Sequence, residues 1–246
     1  MPIDVRLVGK WGRIRPRDGF AFGSELANMV NMVDNSISEP WLEDGGQALR
    51  RSDLPADPVE LLRQWLDCAK AADVRDANAM SLATCDAEGQ PHCRLVLLKQ
   101  LDAHGLGFFT NKSGRKGDQI RANARAAATF WWVTPHARQI RVEGSIRELP
   151  EADAQAYFAS RSRLSQLCSA ASPQSRVVKD RAELEGLVTA LADRVGEGAV
   201  PRPAHWGGYA LLPERVEFWQ ERPGRLHDRF QYSLTAGAWR IDRLAP

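Results

Sequence analysis

The stretch "MSLATCDAEGQPHCRLVLLKQLDAHGLGFFTNKS", residues 80–113, decides how this chain folds. Its segments "MSLATCD", "PHCRLVLLKQLD" and "LGFFTNKS" have strand character, and the turn-rich "AEGQ" and "AHG" separate them. Strands joined by such short connections read as an antiparallel meander, because parallel pairing needs a much longer crossover. Downstream, "AATFWWVT" (127–134) and "RQIRVEGSIREL" (138–149) pair across "PHA" as another hairpin. The segments "YALLPERVEFWQE", "RLHDRFQYS" and "AWRIDRLAP" then supply three closing strands.

Helices fill the intervals. In "LPADPVELLRQWLDCAKAAD" (54–73), Asp57 suits the N-cap, Pro58 the first helical position and Glu60 the third. Leu62, Trp65, Leu66 and Ala69 form its core-facing stripe. "GRKGDQIRANARA" (114–126) reads as helical. Another helix starts after Pro150, with Glu151 and Asp153 where the dipole favours acids. A last one, "DRAELEGLVTALADRVGEG" (180–198), can stop at Gly196. The sum is a mainly β (α+β) chain, a small antiparallel β-barrel decorated by helices. No strand, glycine-rich loop and helix follow one another in the dinucleotide-binding order.

Composition narrows the function classes. Hydrophobic residues at 43% and charged ones at 26% match a soluble globular protein. Lys and Arg number 33 against 31 Asp and Glu, so no overall charge draws the chain to nucleic acid or membrane, and a basic site must be local. No apolar run approaches the roughly 18 residues of a membrane span. Cys68, Cys85, Cys93 and Cys168 show neither C-x-x-C nor metal spacing, and read as reduced, mostly buried thiols of a cytoplasmic protein. The five histidines lack H-x-x-x-H spacing, so no metal is expected. Residues 1–40 lack a secretory apolar core and read as a poorly ordered extension, with Met29 and Met32 as alternative starts. Residues 41–246 then form a single domain.

Four cation clusters carry the chemistry. "RLVLLK", Arg94 to Lys99, is an apolar strand with a cation at each end; five residues apart, the two face opposite sides unless a bulge intervenes. In "TNKSGRKGD", Arg115 and Lys116 stand at a helix start, where the dipole disfavours cations and a phosphate would be held by free N–H groups. In "EADAQAYFASRSRLSQL", Tyr157, Arg161 and Ser165 are spaced i, i+4, i+8 on one helical face, a donor row for a phosphate dianion. If "RLHDRFQY" (225–232) is a strand, Arg225, His227 and Arg229 share one face and Leu226, Asp228 and Phe230 the other. Asp228 then points away from His227, and no G-x-S-x-G elbow exists, which disfavours Ser-His-Asp hydrolysis.

Taken in order, "RLVLLK", "FFTN", "SGRK", "FWQ", "RLHDRF" and the terminal "RLAP" resemble the pyridoxine/pyridoxamine 5′-phosphate oxidase family, from about "RRSDLPADP" to the last residue. The resemblance implies an FMN-binding split β-barrel and a homodimer. It also implies FMN-dependent oxidation of pyridoxine 5′-phosphate and pyridoxamine 5′-phosphate to pyridoxal 5′-phosphate. On that resemblance, hydride would leave the substrate's 4′ carbon for the flavin, and O2 would take the electrons from the reduced flavin to give peroxide. By position, the FMN site would comprise Arg94, Leu95, Val96, Leu97, Leu98, Lys99, Phe109, Thr110, Arg115 and Lys116. Gln139, Gln174, Ser175, Trp206 and Arg229 would complete it across a dimer interface, where Trp131 and Trp132 can pack. Lys99, Tyr157, Arg161 and Ser165 would hold the substrate phosphate, with Arg225, Leu226 and His227 at its ring, Arg225 and His227 as the catalytic pair.

The chain also departs from that family's pattern. Where an "RREY"-like lid segment is expected, it has "SISEPWLEDGGQAL" (36–49), and "SRSRLSQLCSAAS" lacks a proline after its first arginine. Two alternatives follow: a related FMN oxidase acting on a phenazine-type ring, or a non-catalytic flavin or pyridoxal-phosphate-binding protein of the same fold.

Overall fold

The computed structural model describes residues 48–102, 105–133 and 137–246. The expected extension at 1–40 and the segment that replaces the lid motif up to Gln47 lie outside them. The described residues belong to one compact unit, Gly45–Pro246.

The elements are α1 (Pro58–Ala71), β1 (Ala79–Cys85), β2 (Pro91–Leu97), β3 (Gln100–Asp102), β4 (Gly105–Asn111), α2 (Arg115–Ala122), β5 (Arg125–Val133), β6 (Ala137–Glu148), α3 (Glu151–Ser160), α4 (Arg163–Ala171), α5 (Arg181–Val195), β7 (Trp206–Gln220), β8 (Asp228–Thr235) and β9 (Ala238–Arg243). The helix starts follow the sequence chemistry. Asp57 accepts the Val59 N–H at 2.9 Å ahead of Pro58, and Asp180 accepts the Glu183 N–H at 2.9 Å. Gly196, at φ +57°, ends α5.

All strand pairings are antiparallel, in the order β2-β1-β5-β6-β7-β4-β3, with β8 on β7 and β9 on β8. Strand β7 is shared: its first half pairs with β4 and its second half with β8. The division falls at Pro213, which lacks an N–H, opposite a register shift between Glu143 and Gly144. A Cβ on Gly144 would lie 1.8 Å from the Leu212 carbonyl oxygen, so only glycine admits this approach.

The stretch 91–102, read as one strand, is two. The Leu98 N–H still donates to the Asn78 carbonyl at 2.8 Å, with its side chain in the core, whereas the Lys99 N–H donates to the Gly107 carbonyl at 2.8 Å. One continuous segment thus pairs with β1 through its first part and with β4 through its last. That carries the chain between the two edges of the curled sheet.

Trp65, Met80, Leu82, Phe108, Phe130, Ile140, Phe218 and Tyr232 fill the interior, and α1 closes one end. A second cluster, built on Phe158, Leu167, Leu191 and Trp206, seats α3–α5. Trp132 belongs to the main core and donates its indole N–H to Ala77 at 2.8 Å, so only Trp131 remains outward for an interface. The cysteines are free as expected but not buried: Cys68, Cys93 and Cys168 are exposed, Cys85 half-buried. Cys68 sits on the outer side of α1 and Cys93 on an outward position of edge strand β2. No helix among the described residues is long and apolar enough to cross a membrane.

Candidate active site

A cleft of about 680 Å³ opens between β2, β4, α2 and the α3–α4 corner. Of the predicted residues it gathers Arg94, Leu95, Val96, Leu97, Lys99, Phe109, Thr110, Lys116, Tyr157, Arg161, Ser165, Gln174 and Trp206. Four of these are cations, and no Asp or Glu is among the described residues lining the cleft. Like charges gathered without acids cost energy unless an anion joins them.

The first pair is Arg94 and Lys116. Arg94 donates to the Leu82 carbonyl at 3.1 Å, the Thr84 hydroxyl at 2.6 Å and the Gln119 side-chain oxygen at 2.9 Å. Lys116 donates to Thr110 at 2.8 Å and to the Gln174 side-chain oxygen at 2.6 Å. All five acceptors are neutral. Burial, and then the charge of Arg94, hold the Lys116 ammonium below the ordinary lysine value of 10.5. The first turn of α2, after Gly114 with no side-chain cap, faces the same region. Its neighbour Arg115 points to solvent, since successive helical residues are about 100° apart.

The second pair is Lys99 and Arg161. Arg161 lies 5.3 Å over the Trp206 ring and donates to Ser169 at 2.7 Å, while Lys99 is 5.8 Å from the Tyr157 ring centre. Phe109 stacks on Tyr157 at 4.4 Å and on Trp206 at 5.6 Å, so an aromatic platform adjoins both cation pairs. Lys99 and Arg94 reach one cleft because the chain changes partner strand between Leu98 and Lys99, the irregularity that five-residue spacing required.

Tyr157, Arg161 and Ser165 do meet, but not on one helix. α3 ends at Ser160, Arg161 is extended, and the Ser162 side chain caps α4. A corner, not a helical face, brings the three together.

"RLHDRF" also differs. Pro223–Arg225 is a helical turn with Gly224 at φ +63° and Arg225 at φ +64°, and strand β8 begins only at Asp228. Alternation therefore does not reach Arg225 or His227. None of Arg225, Leu226, His227, Arg229 or Gln139 lines the cleft, and neither do Ser175, which is exposed, and Leu98, which is core.

Several of these residues instead form a second group on the outer sheet face. Gln139 is directly opposite Trp131 and Trp219, and Trp219 is opposite Arg229. The His227 ring sits 4.6 Å from that of Trp219, and its Nδ1 accepts the Arg222 N–H at 3.1 Å. Arg229 is bonded to Glu217 at 2.8 Å and to the Ala245 carbonyl at 2.8 Å. Thr84 and Gln119, which brace Arg94 from behind, escaped sequence reasoning. They carry no charge and lie 35 positions apart.

Fold and cleft together define a split-barrel protein with a cation-rich cleft beside an aromatic platform. Residues 67–193 match the family described as pyridoxamine 5′-phosphate oxidase. Residues 206–246 match the pyridoxine 5′-phosphate oxidase C-terminal dimerisation region. The pyridoxine/pyridoxamine 5′-phosphate oxidase of Pseudomonas paraeruginosa is 50% identical over 216 residues, 87% of this chain and 100% of that protein. The protein of the same name from Ralstonia pickettii is 50% identical over 212 residues, 86% of this chain and 99% of its own. The chain belongs to the pyridoxine/pyridoxamine 5′-phosphate oxidase family.

Among solved structures, PhzG from Burkholderia lata in complex with tetrahydrophenazine-1-carboxylic acid aligns with a TM-score of 0.76 at 31% identity. The alignment covers 81% of this chain and 98% of that one. A pyridoxamine 5′-phosphate oxidase-related, FMN-binding protein from Nostoc punctiforme shares the fold, with a TM-score of 0.61 at 17% identity over 78% of this chain and 100% of its own.

Proposed function

We propose that the protein binds FMN and oxidises pyridoxine 5′-phosphate and pyridoxamine 5′-phosphate to pyridoxal 5′-phosphate, with O2 as the final electron acceptor. The observation that carries this reading is two pairs of cations without carboxylates, both beside one aromatic platform. A phosphorylated cofactor and a phosphorylated substrate would use one pair each.

The donor set fits FMN. Arg94, Lys116, Thr110 and the first turn of α2 would hold its phosphate, and Leu95, Val96 and Leu97 would form an apolar wall beside the ring system. When bound, the flavin supplies the two-electron oxidation. Lys99, Arg161, Tyr157 and Ser165 would hold the substrate's phosphate, fixing the distance between that anchor and the reacting carbon.

The remaining residues would come from a second copy of this chain. Leu95 is 73% exposed, Leu97 42%, Trp131 54% and Val133 69%, all on the outer sheet face. A homodimer would cover that apolar surface. It would also carry Gln139, Arg225, His227 and Arg229 of each protomer towards the cleft of its partner. The match of residues 206–246 to a dimerisation region supports this. Arg225 and His227 would then orient the substrate's ring. The reaction would run in the cytoplasm.

The resemblance to PhzG supports a second reading, a phenazine-type ring substrate whose carboxylate meets Lys99 and Arg161. One experiment separates the readings. The yellow protein, kept anaerobic, should bleach on adding pyridoxine 5′-phosphate and recover colour with O2. Bleaching by a dihydrophenazine carboxylate alone would overturn the first reading, and no bleaching by either would leave a flavin-binding protein without this activity.

A further inference from the structure

Arg94 is held by three oxygens that carry no charge. Its Nη1 reaches the Leu82 carbonyl and the Thr84 hydroxyl, and its Nη2 reaches Oε1 of Gln119 at 2.9 Å. The Thr84 hydroxyl donates to the same Oε1 at 2.7 Å. Two donors converge on that oxygen, which fixes which end of the amide faces Arg94. Thr84 is 1% exposed and Gln119 4%.

An arginine half withdrawn from water is ordinarily held by a carboxylate, since the charge-assisted bond is the stronger one. A glutamate at position 119 would hold the guanidinium in the same place. Its negative charge, however, would cancel the field that Arg94 directs into the cleft, and more completely than in water because the site is partly dry. Glutamine has the same length and acceptor but adds no charge. It also stands three residues after Lys116 on α2, so one helix delivers the second cation and the neutral brace together.

We propose that Gln119, assisted by Thr84, is a specificity-determining positioning residue. It holds Arg94 in place without neutralising it, and so sets the preference of the cleft for a phosphorylated flavin over an unphosphorylated one. The inference rests on the FMN reading above.

The test compares full-length wild type, Gln119→Glu and Thr84→Val, each stripped of flavin and titrated with FMN and with riboflavin. The readout is the ratio of the two dissociation constants. Gln119→Glu should reduce the preference for FMN by roughly tenfold or more, with riboflavin affinity nearly unchanged and no loss of apoprotein thermal stability. Thr84→Val, which removes one of the two acceptors of Nη1 and the hydroxyl that steadies Gln119 while keeping the shape, should reduce it by roughly severalfold. A merely structural role would weaken both flavins alike and leave the ratio as in wild type; that result overturns the proposal. If Gln119→Glu does not fold, the Thr84→Val ratio decides alone by the same criterion. A wild type that binds both flavins equally would instead sink the FMN reading, and this inference with it.

Discussion

Two regions of this molecule are rich in arginine and lysine and treat them in opposite ways. On the outer sheet face, Arg229 and Arg141 share Glu217, and Arg141 and Arg215 share Glu143, at 2.8–3.2 Å. Arg141 faces Glu217 and Glu143 faces Arg215 in register, the cross-strand arrangement that favours opposite charges. In the cleft, Arg94 and Lys116 have neutral acceptors throughout. A cation bonded to a carboxylate is already satisfied and serves the sheet. One bonded to amides and hydroxyls is oriented but keeps its charge for a ligand. The acceptor, not the residue type, separates the two roles. By this measure Arg229 offers a flavin less than Arg94 does.

The largest expected effect tests that separation directly. Arg94→Met should weaken FMN by about tenfold to a hundredfold, the equivalent of about 1.5–3 kcal/mol for a charge-assisted bond. Riboflavin should bind nearly as before. Arg141→Met, which removes a cation of the other kind, should change neither affinity. Flavin titrations that show equal losses for both variants would break the comparison.

Two lysines four residues apart sharpen it. The hydrogen bond to Glu148, at 2.7 Å, raises Lys112 above 10.5, whereas burial lowers Lys116. The signs follow. Lys112 contributes stability that is fully present below pH 10.5 and is lost as pH rises through its higher folded value. Lys116 costs stability while charged, and that cost fades as pH rises through its lowered value towards 10.5. A phosphate beside Lys116 draws its pKa back up, so binding takes up protons in that window. FMN affinity should therefore fall with rising pH before an ordinary lysine would titrate. Riboflavin affinity should not show this step, and Lys116→Met should remove it. A pH-independent ratio of FMN to riboflavin affinity between neutrality and pH 10 would contradict the assignment.

Much of this was legible in the sequence. The meander was, because alternation and glycine-containing turns mark antiparallel neighbours, and so were the cap at Asp57 and the helix stop at Gly196. Clustered cations pointed to an anionic ligand before any geometry. What sequence could not supply was local irregularity. A strand pattern does not announce that the chain changes partner strand between Leu98 and Lys99, nor a helical spacing that Ser162 starts a new helix after Arg161. "RPGR" did hold a signal: Pro223 and Gly224 mark a turn, and the turn extends three residues further than the strand reading allowed. The brace at Thr84 and Gln119 left no pattern, because long-range contacts between uncharged side chains have no period.

The smallest expected effect completes the comparison by reversing the exchange proposed for the cleft. Glu143→Gln removes a carboxylate from the ladder, where Gln119→Glu adds one beside Arg94. Glu143 accepts from Arg141 and Arg215, both at 2.9 Å, but those arginine side chains are 46% and 54% exposed. Water screens such pairs, and the amide oxygen of glutamine still accepts a hydrogen bond, so the loss in unfolding free energy should stay under about 1 kcal/mol. Chemical denaturation of the flavin-free protein measures it. The preference for FMN over riboflavin should be that of wild type, since the arginines involved do not line the cleft. A change in that preference would mean that charge on the outer face reaches the flavin site. The acceptor bonded to each arginine would then no longer be enough to tell a structural cation from a ligand-binding one.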